Sequence, residues 1–178
     1  FYREHPFGKG RTRDKVSRFA TELTNLGGHV DIVENEEQVE QTLRQFIAQS
    51  EAKTIATWHR EAFSGWSLDG LWERDDVYTV SSPDFMKHVE AADIGITTVQ
   101  YAIANTGTLV LCTTARQPRS VSLLPTVHLA LIRESQIVAR MGEAFAPLAE
   151  NKGLDIPSSI HFITGPSRSS DIENDLSI

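Results

Sequence analysis

Apolar residues recur with a helical period in two stretches near the start of the chain. Between residues 12 and 26 they are spaced three or four apart, as on one face of a helix, at Val16, Phe19, Ala20, Leu23 and Leu26. Gly27 and Gly28 predict the end of this helix, because glycine favours the left-handed residue that closes a helix. Asn35 and Gln38 have the spacing of a capping box. They predict a second helix whose apolar face comprises Val39, Leu43, Phe46 and Ile47.

Short apolar runs bounded by turn residues predict β-strands. They are His29–Val33, Thr54–Trp58, Val77–Val80, Ile94–Ala104, Thr108–Thr114, Val127–Ile132 and Ile160–Thr164. The run Val127–Ile132 is apolar almost throughout, which predicts a central strand buried on both faces. Asn105–Gly107 predicts a turn, so the strands on either side of it are expected to form a hairpin.

The order of the elements favours an α/β fold. The stretch His59–Asp76 is expected to be a loop with a short helix, and Ser82–Ala92 a helix that starts with Pro83. A last helix, which Pro147 should end or kink, carries Ile137, Val138, Met141, Phe145 and Leu148. Strands that alternate with helices imply a mostly parallel sheet covered on both faces, and the hairpin adds an antiparallel part.

Composition and charge narrow the class of protein. The 178 residues fit one domain, and the net charge of −7 argues against a broad electrostatic attraction to nucleic acid or anionic lipid. No apolar run approaches the roughly 20 residues that span a membrane. The single cysteine, Cys112, excludes an intrachain disulfide and a four-cysteine iron–sulfur cluster, and it favours a reducing, cytoplasmic compartment. We interpret Cys112 as a buried strand residue, with a catalytic thiol as the alternative.

The segment after the last strand is the strongest candidate for ligand binding. It contains Gly165, Pro166, Ser167, Arg168, Ser169, Ser170, Asp171 and Glu173. Arg168 could hold a carboxylate or phosphate with two hydrogen bonds, and a helix starting near Ser170 would turn its free N–H groups toward the same anion. The alternative is a capped helix start, in which the serines and Asp171 satisfy backbone donors. The two interpretations are compatible in one loop.

The turn Asn105, Thr106, Gly107 and Thr108 is the second candidate loop. Ligands of open α/β sheets bind beyond the carboxyl ends of the strands, where both loops are expected to lie. The turn could offer N–H and hydroxyl groups to a ligand, or it could be a plain hairpin connection. Neither a P-loop nor a dinucleotide fingerprint occurs. Among the six histidines, none has helical metal-pair spacing, and His59 is the best functional candidate because it directly follows a strand.

Three segments, in this order, resemble the lactate utilisation protein C family, whose domain is called LUD. They are Gly95–Thr97 with Tyr101–Val110, then Ser122–His128, and then Ile163–Glu173, which lie in roughly the C-terminal half of the chain. The sequence departs from the family pattern at Asn105, where members usually have Asp, and it stops before a Gly-His-Gly-Pro segment and a last strand. We expect a single LUD-like domain over residues 1–178, truncated at both ends.

The resemblance implies a three-layer α/β/α fold like that of ribose-5-phosphate isomerase, glucosamine-6-phosphate deaminase and coenzyme A transferases. It also implies a part in the oxidation of L-lactate to pyruvate, beside two partner proteins that carry iron–sulfur clusters. No cofactor or metal is expected in this chain, and no catalytic residue follows from the resemblance. We therefore expect an accessory subunit that binds a small anion, or a partner, over the two loops.

Two other functions stay open from the sequence. One is a stand-alone enzyme that acts on a phosphorylated or coenzyme-A-linked metabolite, for which Glu173 is the nearest candidate nucleophile. It rests on analogy of fold alone, and one fold hosts many functions. The other is a regulatory module that binds a metabolite without turning it over.

Overall fold

The computed structural model describes residues 12–150, 157–166, 169–170 and 176–177. The helices are α1 (Thr12–Asn25), α2 (Glu36–Gln49), α3 (Asp69–Trp72), α4 (Phe85–Glu90), α5 (Ser120–Leu123) and α6 (Met141–Glu150), with 3₁₀ turns at Arg60–Phe63 and Glu134–Gln136. The strands are β1 (Ile55–Thr57), β2 (Val77–Thr79), β3 (Ile94–Thr98), β4 (Tyr101–Ile103), β5 (Thr108–Thr113), β6 (Val127–Leu131), β7 (Ile137–Val138), β8 (Ser159–Thr164), β9 (Ser169–Ser170) and β10 (Leu176–Ser177).

The strands form two four-stranded sheets and one short pair. In the parallel sheet the order is β2-β1-β3-β6, and every pair of neighbours is parallel. In the mixed sheet the order is β7-β4-β5-β8, where β4 and β5 form the predicted antiparallel hairpin. The α/β class, with a parallel sheet, an antiparallel hairpin and a three-layer arrangement, is confirmed. No helix in the described ranges is long and apolar enough to cross a membrane.

The ends of the first two helices follow from the residues that sequence analysis singled out. At the end of α1, Gly27 N–H donates to Thr24 O and Gly28 N–H donates to Leu23 O, both at 2.9 Å, which is the Schellman arrangement. At the start of α2, Asn35 Oδ1 accepts from Gln38 N–H at 2.9 Å. The Gln38 side chain in turn accepts from the N–H of Glu34, one residue before the cap.

The core is centred on the two inner strands of the parallel sheet. Ile55, Ala56 and Thr57 of β1 are fully buried, and β3 is buried along its whole length. One carboxylate holds the starts of these strands together, because Asp93 Oδ2 accepts from Lys53 N–H at 2.8 Å and Thr54 N–H at 3.0 Å. The rest of the core packs on both sides of this pair.

Two strand predictions were wrong about the neighbouring strands with which the segment pairs. His29–Val33 forms no β-ladder with any described residue, and Ile32 is 62% exposed. Alternation of apolar and polar residues predicted a strand there, but alternation does not supply a neighbouring strand. The run Val127–Ile132 does form β6, yet β6 is an edge strand of the parallel sheet within the described residues, not a central one.

Other predicted boundaries of strands and helices differ from the observed ones at places where the local sequence fits more than one conformation. The predicted strand Ile94–Ala104 is two strands in different sheets, separated at Gln100, whose N–H donates to Val110 O. Ile137 and Val138 form β7 beside β4 and are not part of the last helix. That helix, α6, continues to Glu150, so Pro147 does not end it.

The start of α4 was also predicted too early. Asp84 has a left-handed φ of +52°, so the helix begins only at Phe85 and Pro83 does not lie in its first turn.

The contact between α5 and β3 leaves no room for a side chain at residue 95. A Cβ on Gly95 would lie 1.9 Å from the carbonyl oxygen of Val121 and 2.8 Å from Pro125 Cγ. Gly142, in the first turn of α6, has nothing within 4 Å of the corresponding position. The two glycines therefore form a matched pair of test sites.

We predict that Gly95→Ala lowers the free energy of unfolding by about 2–3 kcal/mol, because the added methyl group forces α5 away from the sheet. Gly142→Ala should leave it unchanged or raise it by up to about 1 kcal/mol, because alanine is the better helix former. Urea denaturation of both variants measures this difference. Equal effects of the two substitutions would contradict the close packing at Gly95.

Candidate functional site

The structure brings the two candidate loops together at one end of the mixed sheet. The turn Asn105–Gly107 joins β4 to β5, and Thr108 at the start of β5 pairs with Thr164 at the end of β8. Gly165 and Pro166 therefore follow directly beside the turn. Ser167, Arg168, Asp171 and Glu173 lie outside the described residues, and of Ser169 only its place in β9 is described.

A row of threonine hydroxyl groups connects the loops. Thr106 Oγ1 lies 2.7 Å from Thr108 Oγ1, which lies 2.9 Å from Thr164 Oγ1. Thr108 is buried at 3% exposure, whereas Thr106 is exposed. The row thus has a buried middle, Thr108, and two exposed ends, Thr106 and Thr164, and the Thr106 hydroxyl group is available to a ligand.

Both loops rest on the last turn of α1. Gly107 and Gly165 have left-handed φ values of +60° and +76°, which favour glycine. A Cβ on Gly107 would lie 2.6 Å from the backbone nitrogen of Leu23, and a Cβ on Gly165 would lie 2.9 Å from Leu26 Cβ. The nearby helix end is a carboxyl end with partial negative charge. Positive charge for an anion over these loops must therefore come from side chains, the role assigned to Arg168 by the sequence prediction.

A second polar cluster lies at the carboxyl edge of the parallel sheet, around His59. The N–H of His59 donates to Arg116 O at 3.0 Å, and its Nδ1 accepts from Glu61 N–H at 3.4 Å. Arg116 forms an ion pair with Glu61. All of these groups except His59 are well exposed, and the carboxylate partly neutralises the guanidinium group.

Arg133, directly after β6, belongs to the same edge. Its guanidinium group lies 4.4 Å from the Trp66 ring centroid and 3.4 Å from Glu36 Oε1, and it donates to Gly65 O. These contacts fix the loop that follows His59 over the ends of the parallel strands.

Burial favours the neutral form of two side chains that could take part in a reaction. Burial lowers the pKa of His128 to about 4, so the imidazole is neutral near pH 7, and its Nε2 lies 2.8 Å from Thr97 Oγ1. Burial also raises the pKa of the half-buried Cys112 thiol, which disfavours the nucleophilic thiolate. In the described ranges, no three His, Cys, Asp or Glu side chains are grouped closely enough to hold a metal ion.

The model of the LUD domain matches residues 16–178. The chain belongs to the LUD domain family. It is 34% identical over 154 residues to the lactate utilization protein C of Halalkalibacterium halodurans, covering 83% of this chain and 67% of the relative. It is 35% identical over 166 residues to the protein of that name from Bacillus subtilis, covering 92% and 60% respectively. The chain thus spans about two thirds of the length of these relatives.

A solved structure supports the fold of this LUD domain. The crystal structure of a DUF162 family protein from Deinococcus radiodurans superimposes with a TM-score of 0.69, covering 88% of this chain and 90% of the other. The two sequences are only 20% identical, so this similarity concerns the fold alone.

One part of this LUD domain's polar geometry could be predicted from the sequence, and another part could not. The turn Asn105–Thr108 and the glycine that follows β8 were predicted, but Thr164, whose hydroxyl group bonds that of Thr108, was not. The pairing of β5 with β8 would have revealed it. Arg116 and Arg133 were also missed, although their positions after strands are the signal that singled out His59. The prediction that the two loops bind a ligand stays a prediction.

We predict that His128 makes the stability of the LUD domain depend on pH. Its pKa is about 4 when folded, below the ordinary value of 6.5, so the folded state favours the neutral imidazole. The stabilisation is present above pH 6.5 and is lost as the pH falls toward 4, by up to about 3 kcal/mol. Urea denaturation between pH 7.5 and 4 should show a smaller loss for His128→Gln. The exposed His29→Gln variant is the control, and an equal loss in all three proteins would contradict the assignment.

Proposed function

We propose that this LUD domain acts in lactate utilization, as an accessory subunit of a complex that oxidises L-lactate to pyruvate. The observation that carries the proposal is the similarity to proteins named lactate utilization protein C, which extends over 83–92% of the chain. Oxidation of a hydroxyl group to a carbonyl group releases two electrons and two protons, so the complex needs redox groups. We assign these to iron–sulfur clusters in two partner proteins, because one cysteine cannot supply the four thiolates that hold a cluster.

We further propose that the domain binds a small anion over the two loops at the end of the mixed sheet. Two features support a ligand there: the exposed hydroxyl group of Thr106, at one end of the Thr106–Thr108–Thr164 row, and Arg168 in the segment that follows β8. A carboxylate such as that of lactate or pyruvate suits this set, because arginine and hydroxyl groups both donate to carboxylate oxygens.

The subunit role is tested by lactate-dependent dye reduction with the two iron–sulfur partners, in the presence and absence of this protein. We expect the rate to fall at least about tenfold when the protein is left out and to return when it is added back, which corresponds to about 1.4 kcal/mol or more of lost transition-state stabilisation. An unrelated acidic protein at the same concentration is the control. Equal rates with and without the protein would refute the subunit role.

The ligand site is tested separately by calorimetric titration with L-lactate and with pyruvate. We expect Arg168→Ala to weaken binding about 10- to 100-fold, because a hydrogen bond to a charged group contributes about 1.5–3 kcal/mol. Arg44→Ala removes an exposed arginine from α2 and should leave the dissociation constant within about twofold. An Arg168→Ala protein that binds as tightly as the wild type would refute the anion site, whatever the outcome for the complex.

A further inference from the structure

The parallel sheet changes its direction of winding at β1. From β1 the chain leads to β2 on one side, and from β2 it returns to β3 on the other side. The connection after β1 packs on one face of the sheet, where Thr98 Oγ1 donates to Ala62 O. The connection after β2 contains α4, which contacts α5 on the opposite face, beside Gly95. Ligands of open sheets bind at such a switch point, beyond the carboxyl ends of the strands.

His59 places a hydrogen-bond donor at this switch point. It is the second residue after β1, and its side chain is 28% exposed. Its Nδ1 accepts from Glu61 N–H at 3.4 Å, so the neutral imidazole carries its proton on Nε2. In the part of the chain that the structure describes, no group forms a hydrogen bond with Nε2. The imidazole in this tautomer can donate at Nε2 to an oxygen atom that carries negative charge.

The loop between β5 and α5 brings Arg116 to the same place. This loop is tied to the end of β1 at two points, because His59 N–H donates to Arg116 O and Trp58 Nε1–H donates to Pro118 O, both at 3.0 Å. The Arg116 side chain is 65% exposed, and its guanidinium group forms an ion pair with Glu61. A guanidinium group has five N–H donors, so this ion pair leaves donors for a second acceptor.

The carboxylate of Glu61 shows where another carboxylate would fit. Its Oε2 contacts the Arg116 guanidinium group and lies 3.8 Å from His59 Nδ1, which is too far for a hydrogen bond. Glu61 is 66% exposed, and exposed ion pairs contribute little to stability. A ligand carboxylate can therefore replace Glu61 on Arg116 at a small cost in free energy. It would also gain the Nε2–H donor of His59, which Glu61 does not use.

We propose that Arg116 and His59 bind the carboxylate group of a small organic acid, and that Glu61 competes with this acid for Arg116. This site lies at the carboxyl edge of the parallel sheet, whereas the two candidate loops lie at one end of the mixed sheet. An internal competitor is always close to its site, so it lowers the apparent affinity for the ligand. The inference does not rest on the proposed function, because only the contacts around His59 carry it.

Titration with sodium acetate, followed by NMR of the histidine side-chain nitrogens, tests the site with the carboxylate group alone. We expect the His59 signals, assigned with His59→Gln, to show the Nε2–H tautomer and to shift until the site is saturated. Glu61→Gln should lower the dissociation constant at least about threefold, because the competing charge is gone. Glu37→Gln removes an exposed carboxylate from α2 and should leave the constant unchanged. Sodium chloride at the same ionic strength should not shift the His59 signals.

Arginine variants in the Glu61→Gln background separate this site from the two loops. Arg116→Ala should weaken acetate binding at least about tenfold, whereas Arg44→Ala should leave it unchanged. Arg168→Ala should not alter the His59 response. If Arg168→Ala abolishes that response, acetate binds at the loops, so the His59 site is overturned while the loop site stands. Equal acetate affinities of the wild type and Glu61→Gln, or equal shifts in acetate and chloride, overturn the proposal as well.

Discussion

The pairing of β1 with β3 is the constraint on which the rest of the molecule depends. These strands lie side by side at the centre of the parallel sheet, they are buried on both faces, and the Asp93 carboxylate, just before β3, accepts from the N–H groups of the two residues just before β1. The chain leaves them in different directions, since β1 leads to β2 on one side, whereas β3 leads through the mixed sheet to β6 on the other. The polar groups around His59 gather where these two paths separate.

The features that sequence analysis predicted correctly are those encoded by a few neighbouring residues. The Schellman end of α1, the Asn35 cap of α2 and the hairpin around Gly107 each depend on short-range chemistry. The features that it missed depend on partners distant in sequence. The apolar run Val127–Ile132 predicted a central strand buried on both faces, but it does not show which strand lies beside it, and only Leu131 of β6 is buried. The same holds for Thr164, which became part of the candidate site only through its pairing with Thr108.

The same distinction between short-range and long-range features applies to the candidate site. Backbone shape could be predicted, because Gly107 and Gly165 occupy conformations that other residues rarely adopt. The neighbours of the side chains could not be predicted, because Arg116 and Arg133 reach the sheet edge from separate loops whose proximity does not follow from the sequence. The net charge of this protein also does not describe the charge at individual places on its surface. A net charge of −7 coexists with guanidinium groups at the sheet edge, each paired with a carboxylate.

The contact of both loops with the last turn of α1 has a consequence for how this family can change over evolution. Leu23 and Leu26 touch positions 107 and 165, which lie far away along the chain. Position 107 meets the backbone of Leu23, whereas position 165 meets the side chain of Leu26, so a shift of that turn would move both loops at once. A change that displaces the end of α1 therefore displaces both candidate loops, and we expect Leu26 and Gly165 to change together among relatives or not at all.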